Sequence, residues 1–391
     1  MKNYIDQNAE NIINLIEKIV NIDSGTYVKH GVDQVGQILK SEYEQIGFNV
    51  EVLEQQALGN NILIRHPEAV DPQIVMIAHM DTVFAEGTVA KRPFKRDGDY
   101  AYGPGVIDMK SSQVTTLFAL KALMENGSDA YKNIELILNT DEEIGSINSR
   151  DLIERVAKDK KYALILEPAQ EGNLVSERKG GGKYFLKVTG KAAHAGVEPE
   201  NGISAIEELA NKILKLHKLT DWDRAINVNV GLVKGGTSVN TIAPFAEAAI
   251  DVRIQTPEHA IEIDQAIREI CSYSEVPGTS LELTGKITRP AWTITKESLK
   301  LYEIIADEGA KLGLDLKHEK SGGGSDGNLT GAIGIPTIDG LGPVGGFAHS
   351  EKEFLYIPSL TERALFLANV LERLTVESKN LVHETENISS K

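Results

Sequence analysis

The first 170 residues combine a helical and a strand-like spacing of apolar positions. Apolar residues between positions 5 and 20 recur at helical spacing and predict one amphipathic helix, and a second helical stripe ends at Gly47. Two further helical patterns cover 111–125 and 149–158. Short apolar runs predict strands at 49–53, 61–65, 74–78, 134–139 and 162–166. The runs 74–78, 134–139 and 162–166 are largely apolar, as strands buried on both faces of a sheet are, so the pattern predicts an α/β domain.

The pattern changes near position 179 and returns to α/β character after position 289. The intervening segment predicts, in order, a strand, a helix, two strands, a helix and a strand: 183–189, 202–217, 225–232, 246–253, 257–274 and 280–284. This βαββαβ order is typical of a ferredoxin-like layer with helices on one face. Beyond it we predict a helix, a strand and a final helix: 299–312, 335–340 and 359–374. The predicted organisation is therefore a catalytic domain (1–178 and 289–375), an inserted domain (179–288) and a polar tail (376–391).

Composition narrows the possible partners. The 391 residues carry a formal net charge of -16, which argues against nucleic-acid or anionic-membrane partners because phosphate binding requires clustered Lys and Arg. The single cysteine, Cys271, excludes an intrachain disulfide and argues against a thiolate metal site. The sequence shows no apolar leader core and no apolar run of about 20 residues, so we expect a cytoplasmic protein.

Polar residues follow three of the predicted buried strands. His79 and Asp81 follow the run 74–78, three consecutive carboxylates (141–143) follow 134–139, and Glu167 follows 162–166. Ligands in α/β folds lie at the carboxyl ends of strands, so we expect these side chains at one edge of one sheet. Taken singly, His79 is better explained as a surface histidine beside a turn aspartate, and the three carboxylates are equally well explained as a solvated acidic turn.

Two further candidates lie in glycine-rich segments. Asp108 stands between a glycine-rich turn and a helix, where a helix N-cap is the simpler explanation, and His349 lies in a loop. Together with the strand-end residues they provide two histidines and at least three carboxylates, enough for two divalent ions that share one carboxylate. Nitrogen and oxygen ligands without thiolate suit Zn²⁺, with Co²⁺ or Mn²⁺ as possible substitutes. Two such ions about 3.5 Å apart are typical of hydrolytic sites.

Five motifs carry a resemblance to a known family. His79-Met80-Asp81, the segment 105–110, the segment 141–145, Glu167-Pro168 and Ala348-His349-Ser350 resemble the motif series of the di-zinc carboxypeptidase/aminoacylase metallopeptidases. That family includes glutamate carboxypeptidase, acetylornithine deacetylase and succinyl-diaminopimelate desuccinylase, and the motifs are most similar to bacterial glutamate carboxypeptidase. The resemblance implies a mixed-sheet zinc-peptidase catalytic domain with an inserted lid and dimerisation domain.

The resemblance also implies a role for each motif residue. Asp108 would bridge two Zn²⁺ ions and would be followed by a cis peptide bond. His79 and Glu167 would complete one site, and Glu143 and His349 the other. The last two roles fall to carboxylates beside these ligands: Glu142 would be the general base that activates the bridging water, and Asp81 would orient His79.

The inserted domain carries motifs that the resemblance assigns to substrate binding. His194 would reach the active site of the partner subunit in a homodimer and stabilise the oxyanion. Asn240 would bind substrate, and Arg289 would clamp its carboxylate in a bidentate pair. Gly323 and Gly324 would form the turn beside that clamp, where close backbone approach requires glycine. The simpler alternatives are a surface position for His194 and a structural role for Arg289 at the domain junction.

The function that follows is hydrolysis of an amide or peptide bond next to a free carboxylate, as in glutamate carboxypeptidase. An N-acyl-amino-acid deacylase or a dipeptidase is the alternative, so the substrate is a small peptide or an N-acyl amino acid. A serine hydrolase is a distant alternative, because Ser325, Asp339 and His349 follow in the appropriate chain order, but the segment before Ser325 is polar. A non-catalytic scaffold is a second distant alternative, although no ligand or base is missing.

Overall fold

The computed structural model describes residues 1–389, and the side chains of residues 1–379. The chain divides into two compact units. The large unit comprises Met1–Glu177, Ile294–Ser321 and the chain from Ser325 onward. The small unit comprises Arg178–Thr293 and Gly322–Gly324.

The first part of the large unit contains six helices and eight strands among the described residues. The helices are α1 (Lys2–Gln7), α2 (Ala9–Val20), α3 (Lys29–Gln45), α4 (Thr88–Lys91), α5 (Ser111–Glu125) and α6 (Arg150–Ala157). The strands are β1 (Asn49–Leu53), β2 (Asn61–Arg65), β3 (Ile74–His79), β4 (Lys95–Asp97), β5 (Tyr100–Tyr102), β6 (Ile134–Asn139), β7 (Tyr162–Ile165) and β8 (Leu174–Arg178).

The remaining elements complete the two units. The small unit contains β9 (Gly180–Thr189), α7 (Ala205–His217), β10 (Asn227–Gly235), β11 (Phe245–Ile254), α8 (Pro257–Cys271) and β12 (Ser280–Arg289). The large unit resumes with α9 (Lys296–Lys311), β13 (His318–Ser321), α10 (Gly327–Ala332), β14 (Thr337–Ile338), β15 (Gly345–Gly346), β16 (Phe354–Tyr356) and α11 (Pro358–Ser389). The last two residues of the predicted polar tail lie outside the described chain.

A six-stranded mixed sheet forms the centre of the large unit. Its strand order is β1-β2-β6-β3-β7-β14. Strands β6, β3, β7 and β14 are parallel, and β2 is antiparallel to both of its neighbours, β1 and β6. Alternate residues of β3 enter two different apolar clusters: Ile74 and Met76 join one, and Val75 and Ile77 join the other. Both faces of the strand are therefore covered, which explains its uninterrupted apolar sequence. The predicted α/β class with a mixed sheet is confirmed.

The predicted amphipathic helix over 5–20 is two helices in the structure. All five residues of its apolar stripe are buried, but α1 ends at Gln7 and α2 begins at Ala9. Between them, the Asn8 side chain donates a hydrogen bond to the Tyr4 carbonyl oxygen. Asparagine side chains compete in this way with the helical backbone, so the apolar period predicted the buried face but not the break.

The small unit has the predicted βαββαβ order. Its four strands form an antiparallel sheet in the order β10-β11-β9-β12. Alternate residues of β11 are buried together with apolar residues of α7 and α8: Ala246, Ala248, Ile250, Val252 and Ile254. One face of this sheet is thus packed against helices, as the alternating sequence indicates. Among the described residues, no helix is long and apolar enough to span a membrane.

A second sheet of the large unit was not predicted from the sequence. Its strand order is β15-β16-β5-β4, and each strand has two or three residues. Runs this short give no readable period, so their pairing depends on contacts between distant parts of the chain. The sheet matters for the site because β5 precedes the Asp108 turn, and the loop with His349 joins β15 to β16.

Candidate metal centre

Three parallel strands deliver side chains to one edge of the central sheet. His79 is the last residue of β3 and lies opposite Asn139, the last residue of β6. Glu142 and Glu143 follow β6 in a short helical turn, and Glu167 follows β7. The Nε2 atom of His79 lies 3.7 Å from Oε1 of Glu167. The strand ends therefore meet as expected from the parallel arrangement.

Asp108 lies between the two candidate histidines. Its Oδ1 atom is 3.0 Å from Nε2 of His79, and its Oδ2 atom is 3.0 Å from Nε2 of His349. The Nε2 atom of His349 is also 3.1 Å from Oε2 of Glu143. The peptide bond between Asp108 and Met109 is cis, which confirms that implication of the resemblance. One carboxylate thus faces two imidazoles with different oxygen atoms, which is the arrangement a bridging ligand requires.

Two overlapping groups of donor atoms have the spacing of a metal site. His79, Glu142 and Glu167 form one, and His79, Asp108 and Glu143 form the other, with the donor atoms of each group within 4.8 Å of one another. His79 is buried, whereas the side chain of His349 is about half exposed, with a relative accessibility of 54%. The cluster is therefore open to solvent on the His349 side.

The structure gives Asp81 a wider role than orienting His79. The Nδ1 atom of His79 is 2.9 Å from the main-chain oxygen of Asp81 and 3.5 Å from its carboxylate. The carboxylate itself accepts hydrogen bonds from the Thr26 hydroxyl (2.7 Å) and from the main-chain N–H groups of Glu142 (3.3 Å) and Glu143 (3.4 Å). Asp81 thus contacts the His79 ring mainly through its backbone, and its side chain supports the turn that carries both glutamates.

The electrostatics of the cluster favour added positive charge. Burial raises the pKa of Glu143 to about 7 and raises the pKa of Glu167 well above its usual range. Hydrogen bonds to Asp108 and Glu143 raise the pKa of His349 to about 11. Burial disfavours the charged form of His79, yet hydrogen bonds to Asp108 and Asp81 raise its pKa above the usual value. In the metal-free cluster, bound protons therefore neutralise the buried carboxylates, and metal cations would neutralise the same charge.

Sequence reasoning did not identify Glu353, a fully buried carboxylate beside the cluster. Its oxygens accept hydrogen bonds from the main-chain N–H groups of Gly105 (3.0 Å), Ile107 (3.0 Å) and Asp108 (3.2 Å). The segment 349–353 gives no signal for this contact, because neither a period nor a known spacing connects Glu353 to residues almost 250 positions earlier.

The donor set fits divalent cations. It consists of imidazole nitrogens and carboxylate oxygens without thiolate, which suits Zn²⁺ in particular. Among the described residues, Oε1 of Glu143 is buried and accepts no hydrogen bond, which leaves it available to a metal ion. Fold and site together define a metal-dependent hydrolase with an α/β catalytic unit.

The candidate substrate residues lie in the small unit, where they form two pairs. The loops of His194 and Asn240 are hydrogen bonded, since the Ala195 N–H donates to the Asn240 carbonyl oxygen at 3.0 Å, and the His194 side chain is exposed. Arg289 packs against the glycine turn: a Cβ atom on Gly324 would lie 2.4 Å from Cδ of Arg289. Arg178 also contacts this turn, donating a hydrogen bond to the Gly323 carbonyl oxygen at 3.2 Å.

Ser325 lacks the surroundings of a nucleophile. Its side chain is fully buried, and its hydroxyl donates a hydrogen bond to Oδ2 of Asp339 at 2.6 Å. His349 contacts Asp108 and Glu143 instead. A triad of Ser325, Asp339 and His349 requires a hydrogen bond between the serine and the histidine, so this geometry argues against the serine-hydrolase alternative.

Comparison with known proteins agrees with the site. The model of peptidase family M20/M25/M40 matches residues 75–373. The chain is 32% identical to carboxypeptidase G2 of Pseudomonas sp. (strain RS-16) over 92% of this chain and 88% of the relative. A Staphylococcus aureus tripeptidase structure has a TM-score of 0.78 at 24% identity, covering 93% of this chain and 98% of the other. A Bacillus subtilis dinuclear metal-binding peptidase has a TM-score of 0.67 at 16% identity, with coverages of 94% and 99%.

The chain therefore belongs to peptidase family M20/M25/M40 and is a hydrolytic enzyme. This membership confirms the predicted family, the fold class and the metallopeptidase class. It also argues against the non-catalytic scaffold, because the candidate base and all candidate ligands are present in the chain.

Proposed function

We propose that the protein is a two-zinc hydrolase that cleaves an amide bond next to a free carboxylate, in the manner of a carboxypeptidase. The observation that carries this proposal is the position of Asp108, whose two carboxylate oxygens each lie 3.0 Å from a different histidine. A single carboxylate shared in this way is typical of sites that hold two metal ions close together.

The spacing of the donor atoms supports a division of the residues between two metal positions. Asp108 would bridge both ions, His79 and Glu167 would complete one position, and Glu143 and His349 the other. Metal ions held by these residues would supply polarisation of a substrate carbonyl and a lowered pKa of bound water. Zn²⁺ is the proposed metal, and Co²⁺ or Mn²⁺ are possible substitutes. The structural relative from Bacillus subtilis is a dinuclear metal-binding peptidase, which supports a count of two metal ions per chain.

The neighbouring residues would handle protons and substrate. Glu142, which lies beside the ligands His79 and Glu167, would take the proton of the attacking water and pass it to the leaving amine. His194 would stabilise the oxyanion that develops in the transition state, and Asn240 would bind the substrate. Arg289, held against the Gly323–Gly324 turn, would clamp the substrate carboxylate.

The substrate class is a small peptide or an N-acyl amino acid. The relationship to carboxypeptidase G2 favours a carboxypeptidase that removes a C-terminal residue. An N-acyl-amino-acid deacylase or a dipeptidase uses the same ligands and the same base, so it stands as the alternative within the family. A homodimer formed through the small unit and a cytoplasmic location stay predictions of the sequence and its family resemblance.

The experiment that tests this proposal combines metal analysis with a substrate panel. Metal content of the purified protein is measured, and hydrolysis of pteroyl-glutamate, N-acetyl amino acids and short dipeptides is followed with and without chelator. We expect two zinc ions per chain and chelator-sensitive cleavage of one substrate class. A metal-free protein that still cleaves in the presence of chelator would overturn the proposal.

A further inference from the structure

Glu353 is a buried carboxylate that the proposed reaction does not use. It lies directly before β16 and is fully buried, and its two oxygens accept three main-chain N–H bonds from the turn 105–108. Three such bonds to one side chain therefore fix both the position and the orientation of the turn.

The same hairpin carries His349. The loop between β15 and β16 contains both His349 and Glu353, and Gly346 pairs with Phe354 across the hairpin. Strand β16 also pairs with β5, where Phe354 lies opposite Tyr102, just before the Asp108 turn. Glu353 thus links the loop of His349 to the turn of Asp108 through hydrogen bonds of its side chain. The pairing of β16 with β5 links the same two segments through backbone hydrogen bonds.

The turn itself depends on an external acceptor. Gly105 has a φ of +73°, and a Cβ atom there would lie 2.5 Å from Cγ2 of Thr82, so the turn is confined to a backbone shape that favours glycine. Its N–H groups at Gly105, Ile107 and Asp108 point to the Glu353 carboxylate. Buried N–H groups require an acceptor, and the Glu353 carboxylate supplies it, while the Asp108 carboxylate contacts the two histidines.

We propose that Glu353 is a positioning residue that sets the orientation of Asp108 relative to His349 and thereby the affinity of the site for its metal ions. This inference rests on the proposed function, because it takes Asp108 and His349 as metal ligands. Outer residues that hold ligands in place typically contribute about 10- to 100-fold in metal affinity. A purely structural role would instead affect the stability of the metal-free protein.

The test compares Glu353→Gln and Glu353→Asp with the matched control Glu351→Gln. Glutamine keeps the volume but removes the charge and one acceptor, whereas aspartate keeps the charge but shortens its reach. Glu351 is exposed on the same hairpin, so its substitution removes one charge without touching the turn. Zn²⁺ affinity is measured by competition with a chromophoric chelator, and the thermal unfolding midpoint is measured for metal-free and Zn²⁺-loaded protein.

We expect both Glu353 variants to bind Zn²⁺ about 10- to 100-fold more weakly than wild type. The increase of their thermal unfolding midpoint on addition of Zn²⁺ should also be smaller than that of wild type. Glu351→Gln should match wild type in both measurements. A lowered midpoint of the metal-free variants with an unchanged gain from Zn²⁺ would show a structural role and overturn the inference. If one variant does not fold, the other variant decides. The inference would also be overturned if both variants were unfolded without Zn²⁺ and excess Zn²⁺ fully restored their folding. Failure of the proposed function is distinct, because wild type itself would then bind no Zn²⁺.

Discussion

At the scale of single residues, neighbouring glutamates carry different proposed roles. Glu142 and Glu143 share one turn, whose N–H groups both bond to the Asp81 carboxylate. Glu143 contacts His349 at 3.1 Å, whereas Glu142 groups with His79 and Glu167. A ligand and a general base can thus be adjacent in sequence because the turn directs their carboxylates to different atoms.

Replacing Glu142 separates these two roles. We expect Glu142→Gln to lower kcat by about 10²- to 10⁴-fold, because the proton acceptor is lost, with the metal content unchanged. Glu143→Gln is the matched comparison and should reduce metal binding, because a ligand is lost. Metal content and turnover of the two purified variants check the assignment, and a metal-depleted Glu142→Gln protein would contradict the role of Glu142 as base.

The raised histidine pKa values predict the pH dependence of metal affinity. His349, with a pKa of about 11 in the metal-free protein, is protonated near neutral pH and must release a proton to bind metal. Protons therefore compete with Zn²⁺ for His349, and this competition is stronger at lower pH. Zn²⁺ affinity should rise about tenfold per pH unit for each proton that the metal displaces. Competition titrations at pH 6, 7 and 8 measure this slope. An affinity that does not change across this range would show that His349 is not a ligand.

At the scale of elements, the glycine turn of the small unit offers a direct test of the carboxylate clamp. A Cβ on Gly324 would lie 2.4 Å from Cδ and 2.8 Å from Nε of Arg289, whereas a Cβ on Gly322 would meet no atom within 4 Å. Gly324→Ala must therefore displace the Arg289 side chain, and Gly322→Ala must not. The two substitutions change the turn by the same methyl group.

We expect Gly324→Ala to raise KM about tenfold or more, because a displaced guanidinium loses charged hydrogen bonds to the substrate carboxylate. Gly322→Ala should leave KM near the wild-type value. Steady-state kinetics on the substrate found in the panel, together with circular dichroism of both variants, provide the measurement. Equal KM values for the two variants would remove the support for Arg289 as the clamp.

At the scale of the whole molecule, the proposed dimer makes His194 a residue of the neighbouring active site. His194→Ala and Glu142→Gln should each be nearly inactive alone. After the two are mixed and subunits exchange, hybrid dimers contain one site with both residues intact, so activity should return to about one quarter of wild type for random pairing. Activity of the mixture is compared with each variant alone. An inactive mixture in which hybrid dimers are detected would show that His194 acts within its own chain.

The sequence by itself determined the helices and strands whose apolar residues recur at a regular spacing. Strands β1, β2 and β6 and helix α5 have the predicted bounds, because apolar residues that recur at strand or helix spacing are visible in the sequence itself. The strand-end positions of His79 and Glu167 followed from the apolar runs 74–78 and 162–166. The roles of the candidate residues came from motif resemblance, which relates short segments by spacing and chain order.

Only the tertiary structure decided how loops far apart in the chain meet. The contact of Asp108 with His349, the bonds of the Asp81 carboxylate to the 142–143 turn and the position of Glu353 all join separate segments. The break at Asn8 and the sheet of two- and three-residue strands were also absent from the predictions. The physical reason is common to all of them. Periodicity records which face of an element is buried, whereas loop conformation is set by hydrogen bonds to residues that no local pattern identifies.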